Sequence, residues 1–118
     1  MNDFDRMISI DPEYSMTYYL KGKLLSSMSE IEQSIEQYDL AIEFNPKFVD
    51  AYYEKGKMLL DLGKPNEAIE EFSNGLNLSG NNCYNGLKLR EHAYRILGEH
   101  EIADSDKENA EKILNKKD

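Results

Sequence analysis

Few of the side chains that commonly carry catalysis stand at spacings that would let them act together. His100 and Glu101 begin like the zinc-binding pair of a metalloprotease helix, but Asp104 stands where the second histidine is required. Cys83 and His92 could form a nucleophilic pair, but a partly buried cysteine at a helix start and an exposed histidine explain them more simply. The seven glycines are scattered and form no phosphate-binding loop. The sequence therefore predicts no enzyme, no cofactor and no metal site.

Binding chemistry is better represented, because lysines follow tyrosines at helical spacing. Lys23 lies four residues after Tyr19, and Lys57 lies four residues after Tyr53. Residues four apart share one face of a helix, so each pair would place an ammonium group beside an aromatic ring. Such a face suits a ligand that carries carboxylate groups.

Composition narrows the classes of partner and compartment. The 118 residues carry a formal net charge of −9, which opposes binding to nucleic acid or to an anionic membrane. No run of about 18 apolar residues is present, and the N-terminus lacks the layout of a secretory signal. The single cysteine excludes an internal disulfide and fits a reducing compartment. We expect a cytoplasmic protein that binds neither nucleic acid nor membrane.

The strongest pattern in the chain is a repeat at an offset of 34 residues. Gly22 recurs as Gly56, and the lysines that flank Gly22 recur around Gly56. A fixed period of this length indicates stacked helical units, because one such unit cannot bury its apolar face alone. Function is therefore expected on a surface that several units build. Further pairs at this offset are Tyr18-Tyr19 with Tyr52-Tyr53, Leu25 with Leu59, Ile35-Glu36 with Ile69-Glu70, and Tyr38 with Phe72.

The units themselves are predicted to be helical. Apolar residues between positions 15 and 80 recur at steps of three, four and seven, which is typical of amphipathic helices. Ser29 and Glu32 have the spacing of a capping box, which predicts that a second helix begins there. In the next unit Gly63 can adopt the positive φ of a helix end, and Pro65 suits the first turn of the following helix. The sequence therefore predicts an all-α chain of antiparallel helix pairs, each helix about four turns long.

These residues also resemble a known family. Gly22, Gly56, Ala68, the aromatic Phe72 and the closing Pro46 stand at places that resemble the tetratricopeptide repeat. The resemblance implies a right-handed α-solenoid of about seven helices that forms a single domain. The departures from the family pattern are Lys21 and Lys55 at the leucine place, Ser34 at the alanine place and Gly80 at the proline place.

The resemblance also divides the chain. The third unit carries one extra residue, so that Gly98 answers Gly63 and Ala103 answers Ala68, while Glu91 replaces the small glycine. We expect this unit to be degenerate and its last helix to cap the solenoid, since terminal repeats need a polar outer face. The predicted divisions are residues 1–14 as the second helix of an incomplete leading repeat, 15–48 and 49–82 as repeats, and 83–116 as the degenerate repeat with the capping helix.

Charge is segregated between the two helices of each unit. The first helix of the first unit carries Lys21 and Lys23 and no acid, whereas its partner carries acids and no base. In tetratricopeptide repeats the first helices line a concave groove, so the resemblance implies a groove more basic than the rest of the protein. The resemblance also implies a protein-interaction module, that is, a scaffold or adaptor. Its ligand would be a protein, a peptide or a helix, and an acidic ligand would suit the basic groove. The predicted groove residues are Tyr19, Lys23, Tyr53, Lys57, Lys88, His92 and Arg95.

Two alternatives stay open at this stage. The same tyrosines and lysines are explained by packing and by an ordinary solvated helix face. Family members that bind chaperone tails use a clamp of lysines and asparagines. Lys23 matches one clamp place, but the other places hold Glu54, Asn85 and Leu89, so binding of chaperone tails is not predicted.

The alternative function is self-association into a weak homodimer through the incomplete N-terminal repeat. The residues predicted for self-association are Phe4, Met7 and Ile8.

Overall fold

The computed structural model describes residues 13–116, and every regular element in that range is an α-helix. The predicted all-α solenoid of antiparallel helix pairs is confirmed. The seventh predicted helix was assigned to residues 1–14, which lie outside the described range except for positions 13 and 14, and these two begin the first described helix. The six helices are Glu13–Ser27 (α1), Ile31–Phe44 (α2), Val49–Asp61 (α3), Pro65–Leu78 (α4), Tyr84–Ile96 (α5) and His100–Lys116 (α6).

The helices pack first within pairs and then between successive pairs. Helix α1 packs on α2, α3 on α4 and α5 on α6, while α2 contacts α3 and α4 contacts α5. The molecule is consequently elongated, with principal dimensions of 48 × 32 × 19 Å. The first helices of successive pairs also contact one another, α1 with α3 and α3 with α5, as expected where each unit stacks on its neighbour.

Glycine and an aromatic ring meet at the centre of the first two pairs. A Cβ atom built on Gly22 would lie 2.6 Å from Cε1 of Tyr38, and one built on Gly56 would lie 2.7 Å from Cδ1 of Phe72. Both rings are fully buried. The predicted close approach at Gly22 and Gly56 is therefore confirmed, since any larger residue would occupy the space of the ring.

A further ring joins the second unit to the third. Tyr53 is buried, and a Cβ atom on either Gly75 of α4 or Gly86 of α5 would lie 2.5 Å from it. Burial also raises the pKa of the Tyr53 phenol. The ring of Tyr53 thus lies between the backbones of two helices and holds successive units together. Other buried members of this core cluster are Leu59, Ala68, Phe72, Leu76, Leu87, Ala93 and Ala110.

Cations at equivalent places connect the second helices of neighbouring units. Lys55 Nζ of α3 lies 2.6 Å from Asp39 Oδ1 of α2 and 3.5 Å from Glu71 Oε2 of α4. In the next unit Arg90 donates to both carboxylate oxygens of Asp106 at 2.9 Å, and to the Ser73 hydroxyl at 3.0 Å. Positions 55 and 90 are equivalent in the repeat. Each cation therefore bridges the second helix of its own unit and that of the preceding unit.

The turns inside the pairs follow one rule. Gly63 and Gly98 adopt positive φ of 77° and 80°, as predicted for Gly63, and Pro65 begins α4 as predicted. Ser29 stands at the equivalent place of the first unit and also adopts a positive φ, of 64°. The predicted capping box is wrong, because the residue before α2 is Glu30 and no side chain caps that helix. Ser29 ends the turn after α1 in the place where the other units use glycine.

The close approach at Gly56 predicts a coupled stability change. Gly56→Ala should lower the free energy of unfolding by about 1–3 kcal/mol, because the methyl group collides with the Phe72 ring. Phe72→Leu should cost less in the Gly56→Ala background than in the wild-type protein, since removing the ring relieves the collision. Urea denaturation of the four proteins measures both effects. A Gly56→Ala protein as stable as the wild type would contradict the packing.

The positive φ at Ser29 predicts a stabilising substitution. Ser29→Gly should raise the free energy of unfolding by up to about 1 kcal/mol, because glycine adopts the left-handed conformation without steric cost. The matched reverse change, Gly63→Ser, should lower it by a similar amount. Thermal and urea unfolding of both variants provide the test, and destabilisation by Ser29→Gly would contradict the assignment.

Candidate binding groove

A concave pocket of about 370 Å³ lies between the first helices of the second and third units. Its volume falls in the range of ligand-binding clefts, roughly 300–1,000 Å³. The contributions of α3 are spaced three, four and seven residues apart, so they share one helix face. The pocket therefore brings together Tyr53, Lys57 and Lys88 of the predicted groove residues. The full lining is Asp50, Tyr53, Glu54, Lys57, Asn85, Lys88 and Leu89.

A carboxylate lies among the groove lysines. Glu54 Oε2 lies 3.6 Å from Lys23 Nζ of α1 and 3.5 Å from Lys57 Nζ. The Glu54 side chain is only 16% exposed, whereas the two lysine side chains are 48% and 45% exposed. Each ammonium group has three donors, so one contact with Glu54 leaves donors directed to solvent. The lysines are thus partly neutralised by an acid while their outer surfaces stay available.

Tyr19 belongs to an aromatic cluster at the edge of this surface. Lys23 Nζ lies 5.8 Å from the centroid of the Tyr19 ring, which confirms the predicted contact between these two side chains. The ring also packs on Phe48 at 4.8 Å and on Tyr38 at 5.9 Å between centroids. Burial, together with the charges of Glu54 and Asp50, raises the pKa of Tyr19 to about 12. Tyr19 is therefore a neutral phenol at physiological pH.

The end of α5 carries a network of ion pairs. Glu91 is buried, with Lys88 Nζ 2.9 Å from its Oε1 and Arg95 Nη2 2.8 Å from its Oε2. Burial alone would raise the pKa of Glu91, but the hydrogen bonds and charges of Lys88 and Arg95 outweigh it and lower that pKa. Arg95 also bonds Asp104 of α6 at 2.9 Å. This network connects one pocket lysine, Lys88, to the last helix.

Four predicted groove residues do not line the pocket: Tyr19 and Lys23 on α1, and His92 and Arg95 on α5. His92 is exposed, and Arg95 is held by Glu91 and by Asp104 of the second helix of its unit. The predicted self-association residues Phe4, Met7 and Ile8 lie outside the described residues. Four residues that line the pocket were given no binding role by the sequence: Asp50, Glu54, Asn85 and Leu89. The spacing of three residues between Glu54 and Lys57 was the signal for the central ion pair.

Other kinds of site find little support in the described part of the chain. Cys83 is half-buried before α5 and accepts a hydrogen bond from the Gly86 amide at 3.4 Å, in agreement with the simpler of the two interpretations given to it. Within residues 13–116, no three side chains of His, Cys, Asp or Glu are grouped so that they could hold a metal ion. None of the helices described here is long and apolar enough to cross a membrane.

Comparison with known families agrees with the repeat pattern. A TPR repeat model matches residues 22–63, and a tetratricopeptide repeat model matches residues 49–82. The two matches together cover about half of the chain and include all of α2, α3 and α4. The chain belongs to the tetratricopeptide repeat family, whose stacked repeats form extended surfaces that bind other proteins.

Solved structures share the fold at low sequence identity. A crystal structure of MamA has a TM-score of 0.86 at 22% identity and covers 97% of this chain and 66% of that one. The second TPR of Spaghetti (RPAP3), bound to the HSP90 peptide SRMEEVD, has a TM-score of 0.81 at 19% identity, covering 86% of this chain and 94% of that one. This chain thus spans a little under two thirds of the MamA chain. No curated protein sequence matches it.

The lowered pKa of Glu91 predicts a pH-dependent contribution to stability. Because its charged form is favoured in the folded state, Glu91 stabilises the fold fully above its ordinary value of 4.5, and this contribution is lost as the pH falls through the folded pKa. Glu91→Gln should therefore be less stable than the wild type at pH 7, and the difference should shrink at pH 3. Urea denaturation at both pH values measures it.

A matched control separates this effect from a general loss of charge. Glu70→Gln removes an exposed carboxylate from the middle of α4 and should change the unfolding free energy little at pH 7. A Glu91→Gln protein whose stability difference from the wild type is the same at pH 7 and pH 3 would contradict the role of the ion-pair network.

Proposed function

We propose that this chain is a protein-interaction module that holds an acidic peptide or helix on the surface formed by α1, α3 and α5. The observation that carries the proposal is that Lys57 and Lys88 line one pocket between α3 and α5, while Lys23 of α1 contacts the pocket residue Glu54. Their side chains are between 41% and 48% exposed, so their ammonium groups remain accessible to a ligand. A carboxylate that receives hydrogen bonds from such groups is held by charge-assisted contacts.

Glu54 sets the affinity of this surface. A ligand carboxylate that approaches Lys23 and Lys57 meets the Glu54 carboxylate that both lysines already contact. The like charges repel each other, and this repulsion makes the free energy of ligand binding less favourable. The groove should consequently bind acidic ligands weakly, and it should release them readily when salt screens the lysines.

Two solved structures that share this fold hold a bound peptide. The first and second TPRs of Spaghetti (RPAP3) are both described as bound to the HSP90 peptide SRMEEVD, which contains several acidic residues. Their identities to this chain, 16% and 19%, support a shared fold rather than a shared ligand. Glu54, Asn85 and Leu89 still argue against the chaperone clamp, so we propose a different acidic sequence for this groove.

Charge reversal in the groove should weaken binding selectively. The probe is the dodecapeptide most enriched from a random phage-displayed library on the full chain, labelled with fluorescein. In fluorescence anisotropy, the double variant Lys23→Glu and Lys57→Glu should reduce its affinity at least tenfold. The double variant Lys107→Glu and Lys112→Glu makes the same charge change on the exposed face of α6 and should leave the affinity within about twofold.

The same assay tests the role of Glu54. Glu54→Gln removes the competing charge and should tighten binding of the probe several-fold, with a steeper loss of affinity as salt is raised. Circular dichroism confirms that the variants keep their helices. A library that enriches no peptide, or a groove variant that binds as tightly as the α6 variant, would contradict the proposed function.

A further inference from the structure

Helix α1 carries large apolar side chains that are exposed to solvent. Their positions are four residues apart, so they form one stripe along the helix. The stripe carries no charge, although it lies beside the lysine-bearing groove surface. Its members on α1 and their exposed fractions are Met16 at 47%, Leu20 at 57% and Leu24 at 61%, and Met28, exposed at 60%, follows directly after the end of the helix.

The repeat separates this stripe into two parts. Leu24 is equivalent to Met58, which is only 5% exposed, and therefore occupies a place used for packing between units. Met16 is equivalent to Asp50 and Asn85, both of which line the pocket between α3 and α5. Met16 therefore belongs to the groove rather than to the packing surface.

Leu20 occupies a groove place by the same comparison. It is equivalent to Glu54 and Leu89, and both of these residues line the pocket. The contact between Lys23 and Glu54, at 3.6 Å, connects this face of α1 directly to the pocket. Met16 and Leu20 thus continue the groove onto α1, where the groove changes from charged to apolar.

We propose that Met16 and Leu20, beside the half-buried ring of Tyr19, form an anchor site for a large apolar side chain of the bound peptide. The inference rests on the proposed function, because it assigns a second feature to the same ligand. One end of the ligand presents an aliphatic or aromatic side chain to α1, and its carboxylate groups contact Lys57 and Lys88. The ligand class is therefore an amphipathic peptide rather than a uniformly acidic one.

The helix spacing sets the distance between the two ligand features. Packed helices lie about 8–10 Å apart, and an extended chain advances about 3.3 Å per residue. An apolar residue on α1 is then separated from an acidic residue over α3 by about three positions. Selected peptides should show this spacing, with an apolar residue roughly three positions from an acidic residue.

The size of the surface favours a peptide over a second copy of the chain. A stable interface between two proteins buries about 800 Å² on each partner. Met16 and Leu20 supply two exposed side chains, which is the scale of a single anchoring contact within a larger binding surface. The neighbouring lysines supply charge complementarity to an acidic peptide, but they would repel the lysines of a second copy placed face to face.

The test uses the full chain and the fluorescein-labelled dodecapeptide from the library selection. Leu20→Gln and, separately, Met16→Gln should each weaken its binding about five- to tenfold, the order expected for an apolar side chain that stays in water. Replacing the apolar residue of the peptide with serine should have a similar effect on the wild-type protein and almost none on Leu20→Gln. Ile102→Gln and Leu114→Gln remove apolar side chains of α6 that are 45% and 46% exposed, close to the 47% of Met16, and should leave binding unchanged.

The outcomes separate this inference from the proposed function. If Leu20→Gln and Met16→Gln bind normally while the Lys23 and Lys57 reversal weakens binding, the anchor is wrong and the acidic groove stands. If the apolar variants weaken binding and the lysine reversal does not, the acidic groove is wrong. If light scattering shows a dimer that Leu20→Gln dissociates, a second copy occupies this face and the peptide anchor is overturned.

Discussion

The close contact between glycine backbone and a buried aromatic ring is the constraint on which the rest of this structure depends. Gly22 receives Tyr38, Gly56 receives Phe72, and Tyr53 lies against both Gly75 and Gly86. Where a side chain is absent, two helices approach closely enough for a large ring to fill the space between them. These contacts fix the rotation of each first helix about its own axis. That rotation decides which side chains face the groove and which face the neighbouring unit.

The third unit shows what replaces the contact when its residues are missing. Glu91 stands at the glycine place, and its charge is compensated by Lys88 and Arg95 within the same helix. Arg90 meanwhile bonds Asp106 of α6 and Ser73 of α4, so it connects the last unit to the preceding one. Ion pairs of this kind require both partners, since a buried charge left alone is costly. At the glycine place the last unit therefore has ion pairs where the earlier units have a packed ring, while Arg90 repeats the bridge that Lys55 makes in the second unit.

The same helix rotation gives the groove its chemical character. Each first helix turns equivalent places toward one surface, and the residues at those places differ from unit to unit. The place of Leu20 on α1 holds Glu54 on α3, where the carboxylate lies between two lysines. The surface is consequently apolar on α1 and carries paired charges on α3. Specificity in such a repeat comes from variation at a few places on a constant framework.

The sequence alone determined the features that depend on contacts near in the chain. The period of 34 residues predicted the helix pairs and the close helix contacts at the small glycines. The turn at Gly63 and the contact of Tyr19 with Lys23 were also predicted, because each follows from helical spacing or backbone conformation. Only the tertiary structure decided which charges pair between helices. Arg95, which was predicted for the groove, bonds Asp104 of α6, and Glu54 of α3 contacts Lys23 of α1. These partners lie on different helices, and a long side chain reaches whichever opposite charge the packing brings within a few ångströms.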